Sequence, residues 1–157
     1  MKISDERRYA EEAAVLLGGM GLQPACGKLL GWLLICDPPQ QSSAELAAAL
    51  ALSKASVSTG MRTLERIGLA RRVAVPGVRG HVYEMRPDAL IDIGSDAGRL
   101  YRQVRELMDR GLELVGDSDP RRTERLRVSR DFYAFVEREV PRLIQRFKQD
   151  YEGGRHG

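Results

Sequence analysis

Lys54, Ser58 and Arg62 follow one another at intervals of four, with Ala55 and Thr59 beside them. On a helix that interval stacks side chains on one face. The face would be short and polar, with two cationic ends. Its chemistry suits the edges of nucleic-acid bases. Arg62 carries the donor fork that bonds guanine bidentately, Ser58 and Thr59 can bond base edges or phosphate oxygens, and Ala55 or the Thr59 methyl can touch a thymine methyl. Ser53 and Ser56, together with the free amides of a helix start, can hold a phosphate. Ser42, which opens the preceding helix, joins this set. Val57, Met61 and Leu64, spaced four and three, form with Ile67 the opposite face, which is expected to be buried.

A second group of candidates follows. Arg79 lies in the turn cluster Pro76-Gly77-Val78-Arg79-Gly80, with His81 alongside. An arginine at such a tip has no partner nearby in sequence and can extend into a minor groove. Arg71 and Arg72, at the base of the same hairpin, are expected to contact phosphates. Between Ser53 and Arg86 the basic residues are Lys54, Arg62, Arg66, Arg71, Arg72, Arg79 and Arg86, and the acids are Glu65 and Glu84. Seven minus two gives +5 in this stretch, against +3 for the whole chain, so the rest sums to −2. A local basic excess on a near-neutral protein is the footprint of a nucleic-acid site. A solvated basic face beside an ordinary core helix and a surface hairpin would give the same excess.

The elements that must position these residues can be read in order. Ser4 can cap a first helix over 4–17, with Ala10, Ala13, Ala14 and Leu17 at helical spacing. Pro24 suits the first turn of a second helix, apolar on most sides, that runs to about Cys36 and ends at Asp37-Pro38-Pro39. Its Gly27 and Gly31 would let another helix approach closely. Ser42 and Glu45 fit a capping box for a short helix over 43–50. After the tight link Ala51-Leu52, Ser53 caps the helix that carries the first candidates, and Gly68 closes it in a left-handed position. The period then falls to two, with Val73 and Val75 on one strand and Tyr83 and Met85 on its return, which gives a β-hairpin. Helix resumes near Ile93 and breaks at Gly116-Asp117-Ser118-Asp119-Pro120. A last helix covers about 121–151, with a kink expected near Arg138 from Pro141.

Other chemistries find little support. No G-x-S-x-G, P-loop or G-x-G-x-x-G pattern occurs, and Gly18-Gly19-Met20-Gly21 has no strand before it. The histidines are His81 and His156, and no Cys/His cluster has metal spacing. No enzymatic activity, metal or cofactor is expected. Cys26 and Cys36 on one helix would stand about 15 Å apart along its axis, beyond the roughly 7 Å that a disulfide allows. They read as small hydrophobes, with a redox-sensing thiol as the alternative. The N-terminus is polar, and the longest apolar run, Leu29 to Cys36, is too short to span a bilayer. A cytoplasmic protein without a membrane partner is expected.

The order of helix, tight turn, second helix and basic-tipped hairpin is that of a winged helix-turn-helix. Here the sequence resembles the MarR superfamily of bacterial transcription regulators, most closely its GbsR-like branch. The resemblance rests on Ser43-Ala44-Glu45-Leu46-Ala47, Leu52-Ser53-Lys54-Ala55-Ser56-Val57-Ser58, Leu64-Glu65-Arg66-Ile67-Gly68-Leu69-Ala70-Arg71-Arg72 and Pro76-Gly77-Val78-Arg79-Gly80-His81. Gly27-Lys28-Leu29-Leu30-Gly31-Trp32-Leu33-Leu34 before Asp37-Pro38 adds to it. It covers residues 24–85 well, and the flanking helices by length and order only. It implies an α-rich winged-helix dimer on pseudo-palindromic promoter DNA, usually a repressor, and admits relief by a small molecule.

The expected fold is therefore mainly α with a small β-hairpin wing, a winged helix-turn-helix over 24–88 flanked by dimerisation helices over 1–23 and 89–157. Leu100, Val104 and Leu107 on one flanking helix and Val136, Val140, Leu143 and Phe147 on the other repeat at spacings of three, four and seven and are the expected dimer seam. Trp32, Tyr101, Met108, Phe132, Tyr133 and Phe135 are candidates to line an effector cavity, or plain core. The expected partners are double-stranded DNA, a second copy and a small-molecule effector. A winged-helix module that docks proteins is the alternative, though its outer face would more often show aromatics or leucines than Lys, Ser, Thr and Arg.

Overall fold

The structure of the chain, a computed structural model, describes residues 3–116 and 119–155. The side chain of Ser4, the link residues Asp117 and Ser118, and His156 lie outside what is described. The chain divides into two compact units, Met1–Leu90 and Ile91–Gly157.

The first unit opens with α1 (Ile3–Gly18) and α2 (Pro24–Ile35). The two helices pack closely, for the reason the glycine spacing suggested. A Cβ on Gly27 would lie 2.6 Å from the Ala14 Cα, and one on Gly31 would lie 2.6 Å from the Ala13 Cβ. Ala10 and Ala14 complete this small-residue contact and are buried. Thus α1, expected among the dimerisation helices, is also built into the core of the first unit. Strand β1 (Gln41–Ser42) leads into α3 (Ser43–Leu50). The capping box forms in full: the Glu45 amide donates to Ser42 Oγ at 3.2 Å, and the Ser42 amide donates to Glu45 Oε2 at 2.7 Å. Ala51 closes α3 in the left-handed region at φ 52°. Arg7 of α1 donates to the Ala49 carbonyl at 2.8 Å, which satisfies an end carbonyl of α3.

Helix α4 (Lys54–Arg66) crosses α2 where Gly60 leaves room; a Cβ there would meet Leu29 Cδ1 at 2.5 Å. Gly68, at φ 82°, turns the chain into β2 (Ala70–Val73), which pairs antiparallel with β3 (Val82–Met85). Strand β2 therefore starts earlier than the alternation suggested and stops before Val75. The sheet has three strands in the order β1-β3-β2, with Gln41 opposite Tyr83 and Ser42 opposite Val82. The core lies here: Leu29, Leu30, Leu46, Val57, Met61 and Leu64 are fully buried. Ile67 departs from the expected buried face. Helix α4 ends at Arg66, so Ile67 follows the cap geometry (φ −87°, ψ 1°) and is 41% exposed.

The second unit is formed by α5, which runs Ala89–Val115 and so begins four residues before Ile93, and α6 (Pro120–Arg155). Helix α6 continues through Pro141. The Pro141 ring faces α5 at Gly98, where a Cβ would stand 3.6 Å from its Cγ; Gly94 faces Ile144 and Gly111 faces Leu126 in the same way. Arg105 bonds Glu137 across the pair, and Arg130 reaches Asp109 at 2.9 Å. From Ile91 onward, Thr123 is the one buried side chain among those described, and none of the apolar ones is fully buried.

Candidate nucleic-acid interface

Helix α4 has the two faces that its sequence predicts. Val57, Gly60, Met61 and Leu64 are buried, while Lys54, Ala55, Ser58, Thr59 and Arg62 are all exposed. The face is set by a local cap. Ser53 Oγ accepts from the Ser56 amide at 3.1 Å and donates to Ser56 Oγ at 2.9 Å. This fixes the first turn and leaves Ser53 and Ser56 partly engaged with each other. Ser42 is engaged likewise in the α3 capping box. Thr63 donates its hydroxyl back to the Thr59 carbonyl at 3.2 Å, so it belongs to the helix rather than to the outer face. A shallow cleft of about 240 Å³ flanks α4, with Gln23 and Ala25 of the α2 start opposite Ala55, Ser56 and Thr59. Gln23 was not a candidate from sequence, because nothing local says that the start of α2 lies beside α4.

The basic residues fall into two groups. Lys54, Arg62 and Arg79 make no ion pair among the described residues. Arg79 stands exposed in a tip shaped by Gly77 (φ 79°) and Gly80 (φ 90°) and closed by the Val78 amide donating to the Val75 carbonyl at 3.1 Å. Arg71 and Arg72 are held by carboxylates. Arg71 Nε donates to Glu84 Oε1 at 2.8 Å across the hairpin. The other Glu84 oxygen accepts from Gln40 Nε2 at 2.8 Å. The two bonds keep the Glu84 carboxyl below its usual range, Arg71 contributing most. Arg72 Nε donates to Glu65 Oε1 at 2.7 Å, chiefly raising the already high Arg72 pKa. Its Nη1 lies 3.3 Å from His81 Nδ1, and its guanidinium sits 5.9 Å from the Tyr83 ring centre. Glu65, Glu84 and Gln40 are partners that a one-dimensional reading missed.

The remaining candidates are placed as follows. Trp32 is buried in the first unit and donates its indole N–H to Gln41 Oε1 at 3.2 Å. Tyr101, Met108, Phe132 and Tyr133 belong to the second unit. There Tyr133 packs against Tyr101 at 6.2 Å between ring centres and edge-on against Phe132 at 5.3 Å. Leu100, Leu107, Leu143 and Phe147 are exposed, and Val104, Val136 and Val140 are half-buried. Cys26 and Cys36 are both free. Burial raises the Cys36 thiol to about 11, so it stays protonated at neutral pH. Among the described residues no helix is long and apolar enough to cross a membrane.

A helix-turn-helix with an outward polar helix face and a hairpin wing defines a winged helix-turn-helix regulator. Comparison with known proteins gives the family. A profile described as MmpR5-like MarR family transcriptional regulator matches residues 88–150. The HTH-type transcriptional regulator MmpR5 of Mycobacterium tuberculosis (strain ATCC 25618 / H37Rv) is 38% identical over 145 residues, which span 92% of this chain and 88% of that protein. A solved crystal structure of a transcriptional regulator is 38% identical, with a TM-score of 0.80 over 92% of this chain and 99% of the other. The chain belongs to the MarR family of transcriptional regulators. The profile match lies on the helices that the sequence resemblance had covered least.

Proposed function

We infer that this chain is a homodimeric repressor that reads pseudo-palindromic promoter DNA in the bacterial cytoplasm. In this reading α4 enters the major groove, and Arg79 follows a minor groove or the backbone beside it. The observation that carries it is the α4 face: Lys54, Ala55, Ser58, Thr59 and Arg62 are exposed together, and neither cation has an ion-pair partner among the described residues. In this reading Ser42, Ser53, Ser56, Arg71 and His81 contact phosphates. A protein-docking module is the rival reading, and the lack of any aromatic or leucine on that face speaks against it. The GbsR-like placement rests on the sequence resemblance of residues 24–85 alone.

Dimerisation is supported by the second unit. Leu100, Leu107, Leu143 and Phe147 remain about half exposed or more in the single chain, and Val136, Val140 and Leu143 line a groove of about 570 Å³ along α6. Exposed apolar surface of this extent marks an association site. In the first unit, Val15 and Leu16 on α1 are exposed apolar residues of their own. Release by an apolar or cationic small molecule belongs to the same reading, with Tyr101, Met108, Phe132, Tyr133 and Trp32 as the residues whose replacement blunts it. Selection of bound duplexes from a random pool tests the whole reading. A two-fold motif with half-sites about one DNA turn apart, or a multiple, is the expected outcome; recovery of unrelated sequences would remove the sequence-specific function.

A further inference from the structure

Arg72 was expected to hold a phosphate, yet its guanidinium is committed to three other groups. Glu65 lies in the last turn of α4, His81 at the return from the wing tip, and Tyr83 on β3. Arg72 itself is on β2. A guanidinium has donors only, so His81 Nδ1 must accept in the contact at 3.3 Å. Glu65 takes the Nε hydrogen at 2.7 Å with its side chain 21% exposed, against 48% for Arg72. Tyr83 is buried and gives the guanidinium an aromatic wall at 5.9 Å. One side chain thus joins the end of the reading helix to both sides of the wing.

We propose that Arg72 is a positioning residue: with Glu65 it braces the wing against α4 and so sets where Arg79 meets DNA. The inference rests on the DNA-binding reading above. Residues 67–69 are the covalent link between α4 and β2, turned by Gly68 at φ 82° and held to the helix end by the Leu69 amide, which donates to the Leu64 carbonyl at 2.9 Å. The pairing of β1 with β3 and the Trp32–Gln41 bond tie the sheet to the core, and the Arg72–Glu65 pair adds a side-chain tie from β2 to the last turn of α4 itself. A wing whose angle varies must be ordered at each binding event, which costs affinity. Glu65 is otherwise hard to explain, since a carboxylate beside a phosphate-binding surface opposes binding by simple charge.

That opposition supplies a test with a sign. Were Arg72 a phosphate contact partly masked by Glu65, Glu65→Gln would free it and tighten DNA binding. The brace demands the reverse, a loss of roughly tenfold, the scale of one well-placed contact. Arg72→Lys keeps the charge but cannot reach three partners at once. The brace predicts that it behaves like Arg72→Gln, whereas a phosphate contact would survive it nearly intact. Either Arg72 variant combined with Arg79→Ala should be little worse than Arg79→Ala alone, because both act through the wing. The exchange Glu65→Arg with Arg72→Glu should recover part of the loss. Hydrogen exchange of the wing amides, residues 73–82, is followed in the free protein. It should quicken in Glu65→Gln and in Arg72→Lys while the α2 amides keep their protection. Unchanged wing exchange, or tighter DNA binding by Glu65→Gln, would overturn the brace. If the unaltered protein selects no duplex, the DNA-binding reading fails, and the exchange experiment still decides whether the brace exists.

Discussion

The indole N–H of Trp32 points at Gln41 Oε1, 3.2 Å away, and both residues are buried. Gln41 is oriented from its other end, where Nε2 donates to the Pro38 carbonyl at 2.9 Å. The pair fastens α2 to β1, the two-residue edge strand of the wing sheet. Trp32→Phe removes the donor and leaves a buried acceptor unpaired. The cost should be about 1–3 kcal/mol, since an unsatisfied buried group keeps its full desolvation penalty. Urea unfolding of parent and variant measures it. A change below roughly 0.5 kcal/mol, the scale of an ordinary surface substitution, would mean that the bond contributes little.

Acid should loosen the protein through three carboxylates. Arg71 and Gln40 hold Glu84 below its ordinary value, Arg105 does the same for Glu137, and Arg130 for Asp109. Each folded pKa is depressed, so each contribution is fully present above the unfolded value. It is lost as pH falls through the folded one. Melting temperature should stay level from neutral pH down to about 5 and then decline. Glu84→Gln should lower the plateau and make the decline shallower. An acid limb of equal steepness in the variant would show that Glu84 is not among the groups responsible.

Leu143→Glu places a charge in the expected seam on α6, where Leu143 is 58% exposed in the single chain. A buried unpaired charge destabilises an interface by about 3–5 kcal/mol, roughly a thousandfold in the dimer constant. Light scattering should then find monomers at micromolar concentration, with weak operator binding. Monomer fold should survive, because no apolar core closes around this site. A monomeric parent protein would contradict the dimer outright.

Local patterns carried much of this fold into the sequence. The α4 faces followed from spacing alone, as did the Ser42–Glu45 box, the Ser53 cap and the close approach at Gly27 and Gly31. These features depend on residues within one or two turns. What escaped depends on distant neighbours. Strand β1 has two residues, too few for any period, and exists because β3 lies beside it. Ile67 continued the buried stripe on paper, but the helix ends one residue earlier. The Glu65–Arg72 and Arg71–Glu84 pairs depend on where β2 falls, and two basic residues at a hairpin base look like phosphate ligands until that position is known. Family membership was legible in residues 24–85 from their turn and cap motifs. Residues 88–150 carry amphipathic repeats that many helical hairpins share.

The central claim is that α4 reads bases while the wing supplies affinity. Equilibrium titration of the parent, Arg62→Ala and Arg79→Ala on a selected duplex and on a scrambled one, over a series of salt concentrations, tests it most directly. Arg62→Ala should lose about 1–3 kcal/mol on the selected site and relax preference at one base pair, with little change on the scrambled duplex. Arg79→Ala should weaken both duplexes more evenly and lower the salt slope by about 1. Specific binding left intact by Arg62→Ala would contradict the assignment of the α4 face.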